Sequence, residues 1–598
     1  MTAPVSSSTN TGWLGHPRQL SRLFTTEMWE RFGYYGMRAM LTLYLTKHFV
    51  LGDRAATGLY GGYTALVYLT PLLGGLVADQ FIGSKRSVRF GAGLMALGYF
   101  TLAIGGAPSA SYALYDGARH PIEISHFHDG PTSAQDEQRF VVDPKIAQGA
   151  RLRVAGQADG GIALIAPDGQ IARSLPAGSF HEGSEKNPAM VALLLMALAT
   201  LCVGNGFFKP NISTMVGQLY AKGDPRRDAG FTIFYMGINL GSILGQLLCP
   251  IFADWIGWWA GFGVAGLGMS IAFLLISFDG GRLAGYGETP ERQGSGSHSD
   301  RAMLIYTGAI LAIPLVWWLL HNLMAAVAPV PGSGLVGYLA SLPLMGRLLF
   351  GTFLIGVPGI LLWSWREGKG AEFSMMLSAM VLISFNTVFW TLFEQAGSSL
   401  TLFADRNTNR SVFGLFDLSA PQTQNFNPVA IVILAPLMSL LWGWLAKRGA
   451  EPSIPVKFGV ALVGVGAGFL LLVLGAQFVG PDYRVGLWWL AGLYVIHSAA
   501  ELCISPVGLS MITKLSIARI TGLMMGVWFL SISVAQYVAG AVAQVASVDT
   551  VGGQVTNMKL SLATYVGVFS HIGWVAVGIG ALLLALARPL RRLMHGVN

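Results

Sequence analysis

The stretch from Thr25 to Arg38, TTEMWERFGYYGMR, places charged side chains inside an apolar run that extends from 23 to 50. Because successive residues of a helix are rotated by about 100°, one face carries most of the polar groups. That face holds Glu27, Arg31, Tyr34, Tyr35 and Arg38, and Glu30 borders it. A charge at the centre of a membrane helix costs about 2.5–3.5 kcal/mol on insertion scales. The pattern predicts a helix that faces a polar interior, and an interfacial stretch whose charges reach lipid headgroups is the alternative.

Other apolar runs also carry polar residues at helical spacing. Asn386, Trp390 and Glu394 are spaced by four, as are His497, Glu501 and Ser505. Further polar or aromatic candidates in apolar runs are Tyr68, Lys209, Tyr235, Asn239, Ser242, Gln246, Asn427, Trp528 and Ser531. Hydrogen bonds between helices, worth about 0.6 kcal/mol on average, are the alternative for the neutral ones. Intramembrane Lys209, Glu394 and Glu501 favour a functional site.

The charges inside the apolar runs do not balance. The cations are Arg31, Arg38 and Lys209, and the carboxylates are Glu27, Glu30, Glu394 and Glu501. One carboxylate therefore lacks a permanent partner. A buried carboxylate whose cation changes with conformation can take up and release a proton, which is what a proton-coupled carrier needs. The count does not identify which carboxylate this is.

The same residues suit a ligand with opposite charges at its two ends. Arg38 and Lys209 are candidates for holding a carboxylate, and Glu501 or Glu394 for holding an ammonium. Asn239 and Asn427 are candidates for the peptide amide, and side-chain pockets would be lined by Trp390, Trp528, Tyr34 and Tyr68. The cations lie in the first half of the chain and two acids in the second. A zwitterion would thus bridge the halves.

Composition defines the class of protein. Of the 598 residues only 11% are charged, against about 25% in soluble proteins, which predicts an all-α polytopic membrane protein. The formal net charge of +8 is better explained by cytoplasmic loops than by nucleic-acid binding. We expect Cys202, Cys249 and Cys503 to be packing residues, and we find no metal motif, phosphate loop or nucleophile constellation. The chain is therefore not expected to be an enzyme or to need a cofactor other than the proton.

Fourteen apolar runs are long enough to span a bilayer. They lie near 23–50, 56–79, 87–107, 188–220, 229–252, 258–278, 302–328, 335–365, 371–403, 427–446, 456–479, 485–512, 519–545 and 562–587. Lys and Arg concentrate in alternate short loops, which predicts that both termini are cytoplasmic. An outer latch between Arg54 and Asp405 is expected from their opposite charges at the outer ends of facing halves.

The runs group into six, two and six. We expect two six-helix bundles, with two lipid-facing helices between them, and membership of the pathway is the alternative for those two. The predicted domains are a cytoplasmic tail at 1–20, a bundle at 21–278, a link with two helices at 279–370, a bundle at 371–590 and a tail at 591–598. A polar insertion at 108–187 interrupts the first bundle on its outer, periplasmic side. Its short alternating runs and Asp-Gly turns predict a small β-rich unit, and a disordered insertion is the alternative.

Several motifs resemble those of the proton-dependent oligopeptide transporters, a branch of the major facilitator superfamily. EMWERFGYYG at 27–36 resembles the family's ExxERFxYYG. Five further matches are GGLVADQFIGSKR (74–86), FFKPNIS (207–213), FYMGINLG (234–241), FWTLFEQAGSS (389–399) and AELCISPVGLSMITK (500–514). They cover both bundles, and the two extra helices resemble the bacterial fourteen-helix arrangement.

The resemblance implies roles for the matching residues. Glu27, Glu30 and Arg31 would serve proton coupling, with Arg31 also near the peptide carboxylate. Arg38 would pair with Glu394 in a proton-sensitive bridge that also serves proton coupling, and Lys209 would pair with Glu501 in a bridge across the halves. Asn239, Asn427 and Glu501 would hold the peptide backbone and amino end.

We therefore expect a proton-coupled symporter that imports di- and tripeptides by alternating access. It would work as a monomer in the lipid of a bacterial inner membrane and would not bind nucleic acid. A carrier of nitrate, or of another small anion or peptide-like zwitterion, is the alternative, although an anion has no use for an amine-binding acid. A membrane-embedded peptidase is a third hypothesis, but it would require catalytic groups that the sequence does not offer.

Overall fold

Fourteen long helices account for most of the residues that the computed structural model describes. The residues that it describes are 11–124, 138–143, 149, 151–157, 159–221, 223–289, 298–324, 337, 340–368, 370–551 and 553–597. The first six long helices are α1 (Arg18–Leu43), α2 (Asp53–Val77), α3 (Ser84–Ala103), α4 (Pro188–Gln218), α5 (Arg227–Trp255) and α6 (Trp258–Ser277). The next two are α7 (His298–Met324) and α8 (Leu344–Glu367). The last six are α9 (Gly370–Phe393), α10 (Phe426–Lys447), α11 (Ile454–Gly475), α12 (Leu487–Leu515), α13 (Thr521–Val545) and α14 (Met558–Leu593).

Twelve of the described helical segments are long and apolar enough to cross a membrane. The two other long helices, α1 and α3, carry more charge, and they pack among the other helices of the first bundle. Both have at least 20 residues, which at 1.5 Å per residue gives the length of a bilayer core. The prediction of a polytopic all-α fold is confirmed, and the protein is an integral membrane protein. Parts of the predicted tail at 1–20 and of the predicted spans at 302–328 and 335–365 lie outside the described residues.

The helices pack as two bundles, with α1–α6 in one and α9–α14 in the other. The bundles meet most extensively where α2 crosses α13. A Cβ added to Gly61 would lie 2.7 Å from the Cα of Gly540, so the two backbones are too close at this crossing for a larger residue. Ser533 also donates to the carbonyl of Ala65 at 2.7 Å. Small residues therefore bring the halves into direct contact.

Helices α7 and α8 lie at the outside of this assembly. The first packs against α4 and α2, and Trp317 Nε1 donates to the carbonyl of Ala192 at 3.0 Å. The second packs against α9 and α13. Large apolar side chains of both remain exposed, such as Leu304 and Ile355, as expected for helices that face lipid.

The insertion between α3 and α4 forms an antiparallel sheet of seven strands. The strands are β1 (Ala110–Tyr115), β2 (Ala118–Ile124), β3 (Arg139–Val142), β4 (Arg151–Gly156), β5 (Ile162–Ile165), β6 (Ile171–Leu175) and β7 (His181–Glu185). Their order is β6-β5-β4-β3-β2-β1-β7. The turn Asp116-Gly117 has φ of 53° and 70°, which suits the tight hairpin from β1 to β2. The β-rich prediction is confirmed, although residues 125–137, 144–148, 150 and 158 lie outside the described residues.

The sheet defines one end of the molecule, which we call the sheet end. It follows α3 and precedes α4, so the last residues of α1 and α3 and the first residues of α2 and α4 lie there. The opposite end, the termini end, carries the start of α1 and the last turns of α14.

Candidate functional site

A cavity of about 350 Å³ lies between the two bundles. Seventeen of the residues predicted from sequence line it: Glu27, Arg31, Tyr35, Arg38, Tyr68, Lys209, Tyr235, Asn239, Ser242, Gln246, Trp390, Glu394, Asn427, His497, Glu501, Ser505 and Trp528. They come from helices of both halves. The helix face predicted for α1 therefore does point into a polar interior.

The first bundle supplies the cations of the cavity. Arg31 Nε lies 2.8 Å from a carboxylate oxygen of Glu27 and 2.8 Å from one of Glu30. Both glutamates are buried, so one guanidinium faces two carboxylates away from water. Lys209 lies on α4, and its Nζ is 4.2 Å from the centre of the Tyr68 ring. An ammonium over an aromatic face is stabilised by the ring quadrupole while it stays available to a ligand.

The second bundle supplies a carboxylate held by an amide. Asn427 Nδ2 donates to Glu501 at 3.2 Å and to the hydroxyl of Ser498 at 2.9 Å. Asn427 opens α10 and Glu501 lies in the middle of α12, so the pair joins two helices. The hydrogen bond orients the carboxylate without neutralising its charge.

Arg38 of α1 forms an ion pair with Glu394, which begins the tight turn after α9. Both side chains are buried and both line the cavity. Arg38 Nε also donates to the hydroxyl of Tyr60 on α2 at 2.7 Å. The bridge therefore connects the two bundles at the wall of the cavity.

The predicted ion pair between Lys209 and Glu501 is not among those that the described residues form. Lys209 faces Tyr68 within the first bundle, while Glu501 accepts a hydrogen bond from Asn427 within the second bundle. This bridge stays a prediction.

Further contacts between the halves lie between Arg38 and the sheet end. Thr42 donates to the carbonyl of Gly397 at 2.5 Å. Beyond it, Lys47 pairs with Asp405 at 2.7 Å, and Arg406 pairs with Asp53 at 2.6 Å. These contacts close the cavity toward the sheet end.

The predicted latch between Arg54 and Asp405 is wrong, because the cation that pairs with Asp405 is Lys47 and not Arg54. A π-helical turn at Tyr44–His48 ends α1 and brings Lys47 to Asp405 instead. The neighbouring acid, Asp53, holds Arg406 with both carboxylate oxygens. Two ion pairs therefore stand where one was predicted.

The cavity reaches the surface toward the termini end. Tyr235, in the third turn of α5, lines the cavity and is 42% exposed. Ser505, on the half of α12 that runs toward the termini end, lines it as well. The arrangement suits a central binding site that is closed at one end of the molecule and accessible from the other.

The POT family model matches residues 85–558 of the chain. The chain belongs to the POT family. Among its relatives, the dipeptide and tripeptide permease A of Klebsiella pneumoniae (strain 342) is 29% identical over 577 residues, which are 96% of this chain and 93% of the relative. The protein of the same name from Escherichia coli (strain K12) is 28% identical with the same coverage.

Solved POT structures share this architecture. A crystal structure of a peptide transporter POT in complex with sulfate is 28% identical, has a TM-score of 0.70, and aligns over 98% of this chain and 97% of that one. A mutant of that transporter in complex with alafosfalin aligns with the same identity, score and coverage. The resemblance drawn from the motifs is therefore confirmed.

Four residues predicted from sequence are not among those that line the cavity of this POT chain: Glu30, Tyr34, Asn386 and Ser531. Glu30 lies behind Arg31, with which it pairs. The ring of Tyr34 packs edge-on against the ring of Tyr35, and of these two tyrosines it is Tyr35 that lines the cavity. Ser531 donates to the carbonyl of Trp528 and accepts from Asn386 at 3.3 Å, so it joins α13 to α9.

Several residues at or beside the cavity carried little signal in the sequence. Tyr60, which holds Arg38, and Tyr494, which lines the cavity, are tyrosines in apolar helices, where most aromatic residues only pack. Gln424 also lines the cavity, and its amide donates to Thr401 at 2.8 Å. Gln424 lies in a single turn of tight helix just before α10, which no helical periodicity marks. Among the described residues there is no group of three or more His, Cys, Asp or Glu that could hold a metal ion.

Proposed function

We propose that this chain is a proton-coupled symporter that imports di- and tripeptides by alternating access. The dipeptide and tripeptide permeases among its relatives and the alafosfalin-bound POT structure support peptides as the substrate class. The cavity supports the same class by its chemistry. Transport of an intact peptide needs no catalytic group, and we infer that the chain carries its substrate unchanged.

The observation that carries the proposal is the separation of charge across the cavity. Arg31, Arg38 and Lys209 belong to one bundle, and Glu501 to the other. A peptide has a carboxylate and an ammonium at opposite ends, so it would satisfy both walls at once. Asn239 and Asn427 offer amide groups between these ends, and Trp390 and Trp528 offer apolar surface to the side chains. A small anion would leave Glu501 facing the ligand without a cation, which is costly in a buried site.

Proton coupling would use the buried carboxylates that pair with arginines, which are Glu27, Glu30 and Glu394. Arg31 balances only one of Glu27 and Glu30, and an uncompensated buried carboxylate is costly, so one of the two would carry a proton. Protonation of Glu394 would remove the charge that holds Arg38 and would loosen the contact between the bundles. The freed Arg38 could then bind the peptide carboxylate. Proton and peptide would thus favour the same conformation.

The orientation follows from the charges of the short loops. We propose that the termini lie in the cytoplasm of a bacterium, that the protein resides in its inner membrane, and that the sheet end faces the periplasm. The closed sheet end and the cavity accessible from the termini end would then make this an inward-facing conformation. Both bundles belong to one chain, so we propose that the monomer is functional.

Uptake of a labelled dipeptide into proteoliposomes tests the proposal, with a pH gradient imposed in the presence and absence of a membrane potential. We expect accumulation when the outside is acidic. Glu394→Gln should abolish accumulation but retain exchange of labelled for unlabelled dipeptide, because exchange needs no net proton movement. Glu367→Gln on α8 is the matched control, since that glutamate lies outside the cavity lining and is about half exposed.

Competition defines the substrate. Unlabelled tripeptides should reduce the uptake, whereas nitrate should not, and the labelled dipeptide should be recovered intact from the vesicle interior. Competition by nitrate alone would favour the small-anion alternative, and recovery of free amino acids would favour a peptidase. Full accumulation by the Glu394→Gln variant would contradict the proposed proton step.

A further inference from the structure

The seven-stranded sheet is attached to the first bundle. Its chain enters from α3 and leaves into α4, with Lys186 and Asn187 as the only residues between β7 and α4. Ser109 donates its backbone N–H to the carbonyl of His48 at 2.8 Å, and Ser184 Oγ donates to that of Val50 at 3.2 Å. These short connections favour movement of the sheet together with the first bundle.

The same sheet also contacts the second bundle, through the connection between α13 and α14, which we call the α13–α14 hairpin. Its described residues are 546–551 and 553–557, and its strands Thr550–Val551 and Gln554–Val555 pair antiparallel. The backbone N–H of Gly156 at the end of β4 donates to the carbonyl of Thr556 at 3.1 Å. Asn557 Nδ2 donates to the carbonyl of Gln157 at 2.6 Å, and Arg139 Nε donates to that of Val551 at 3.3 Å. Four hundred residues of chain separate Asn557 from Gln157, so this is a tertiary interface and not a local turn.

One hairpin residue is part of the hydrophobic core of the sheet. Val551 is only 4% exposed and belongs to the apolar cluster formed by Ala113, Tyr115, Ile122, Val141, Leu152, Ile162, Leu164 and Leu175. The sheet therefore buries a side chain that the second bundle supplies. Burial of a valine together with three hydrogen bonds is a substantial interaction for a contact between two moving bodies.

The hairpin is held from the other side by the first bundle. The backbone N–H of Val548 donates to Asp53 at 3.1 Å, and Gln544 donates to the carbonyl of Arg54 at 3.0 Å. A Cβ added to Gly553 would lie 2.6 Å from the carbonyl oxygen of Thr46. The hairpin thus lies between the sheet and the sheet-end turns of α1 and α2.

We propose that the sheet is a clasp that holds the sheet end of the transporter closed by binding the α13–α14 hairpin. Opening at the sheet end moves the second bundle away from the first, so it must withdraw Val551 from the sheet and break the hydrogen bonds at Gly156, Gln157 and Arg139. The clasp adds to the ion pairs of Asp53 and Asp405 and shifts the resting population toward the conformation described here. This inference rests on the alternating access of the proposed function, but not on the identity of the substrate.

The test is the accessibility of a buried position at the closed end. Thr42 is 0% exposed at the contact with Gly397, so a Thr42→Cys substitution reports opening by its reaction with a water-soluble maleimide added to the purified protein in detergent, which the reagent reaches from both ends. The native cysteines Cys202, Cys249 and Cys503 are buried, and the parent protein gives their background. Val551→Asp should raise the labelling rate roughly tenfold, since it removes the burial of one apolar side chain from the closed state.

Ile171→Asp is the matched control. It makes the same change from an apolar residue to an acid in the same sheet, but on the edge strand β6, where Ile171 is 59% exposed. The control should label at the rate of the Thr42→Cys parent. Equal labelling of the Val551→Asp and Ile171→Asp proteins would overturn the proposal. Labelling needs no substrate, so a failure of the peptide or proton assignments leaves this result unaffected.

A milder variant provides a second measurement should the Val551→Asp protein fail to fold. Asn557→Asp removes the Nδ2 donor to the carbonyl of Gln157, but it keeps the side-chain oxygen that caps α14 by accepting from the backbone N–H of Leu560. In the Thr42→Cys protein this change should raise the labelling rate severalfold, because one hydrogen bond is lost from the closed state. A labelling rate equal to that of the Thr42→Cys parent would contradict the proposal.

Discussion

Arg406 and Asp53 form a two-pronged ion pair between the bundles, with N···O distances of 2.6 and 2.7 Å. Each side chain is only about 1% exposed. Asp53 begins α2, whereas Arg406 ends the short helix Ser399–Arg406 that continues α9. The pair therefore belongs to the conformation in which the sheet end is closed.

Asp53→Asn should destabilise this conformation strongly. Loss of one partner from a buried pair leaves an uncompensated charge and typically costs about 3–5 kcal/mol. Thermal unfolding of the purified protein in detergent should show a clear loss of stability. Glu367→Gln is the control, since its partner Arg519 is 3.6 Å away and both side chains are more than half exposed. A double variant, Asp53→Asn/Arg406→Gln, should recover part of the loss, and failure to recover any would assign the effect to Asp53 alone.

Asn427→Ala should weaken peptide binding without removing the charge of Glu501. The amide donates to Glu501 at 3.2 Å, and hydrogen bonds to charged groups are worth about 1.5–3 kcal/mol. We expect the apparent affinity for a dipeptide to fall roughly tenfold or more in concentration-dependent exchange.

An N-acetylated dipeptide, which has no ammonium, should bind wild type and the Glu501→Gln variant equally. A Glu501→Gln variant that bound both ligands as wild type does would contradict the role of Glu501 as the ammonium partner.

The sequence predicted which residues form this site better than it predicted which of them pair with one another. Charges and amides at helical spacing in apolar runs, such as Glu394 and Glu501, indicated a shared cavity because lipid would not tolerate them. The partner of Asp405 could not be predicted in the same way. Lys47 and Arg54 lie in the same short connection, and the choice depends on a π-helical turn that has no clear pattern in the sequence.

The docking of the sheet shows the same limit. Alternating residues and Asp-Gly turns predicted strands, because those signals are local. The contact of Val551 with the sheet joins segments that are hundreds of residues apart, and a valine in a short loop does not indicate where it will be buried. Tyr60 was missed for a related reason, since its hydroxyl matters only through Arg38.

An ion pair at the termini end predicts how stability varies with pH. Asp279 follows α6, and burial alone would raise the pKa of its carboxyl. The hydrogen bond and charge of Lys85, together with the backbone N–H groups of Leu283 and Gly281, outweigh burial and hold the pKa of Asp279 below its usual value. Because the pKa is lowered in the folded protein, the pair stabilises it fully above the unfolded pKa of about 4 and is lost as the pH falls through the folded pKa.

Asp279→Asn should therefore lower the midpoint of thermal unfolding at pH 7. The difference from wild type should shrink as the pH falls below about 4, since wild-type Asp279 then becomes neutral as well. Asp482→Asn is a suitable control, because Asp482 is exposed and accepts from the backbone N–H of Arg484, two residues away, at 3.4 Å, so it joins no separate elements. A difference between Asp279→Asn and wild type that stayed constant with pH would mean that shape, and not charge, sets the contribution of this position.

Two glycines of the first bundle give a matched test of close packing behind the cavity. At Gly245 of α5, an added Cβ would lie 2.2 Å from the carbonyl oxygen of Phe32, which is backbone and cannot rotate away. Gly245→Ala should thus force α5 from α1 and destabilise the protein by about 1–3 kcal/mol. At Gly263 of α6 nothing lies within 4 Å of an added Cβ, so Gly263→Ala should be neutral or stabilise by up to about 1 kcal/mol through helix propensity. Because α1 carries Arg31 and Arg38, dipeptide uptake should fall in the Gly245→Ala protein and remain normal in the Gly263→Ala protein. Equal thermal stability and uptake of the two variants would contradict the close approach of α1 and α5 on which the position of the cations depends.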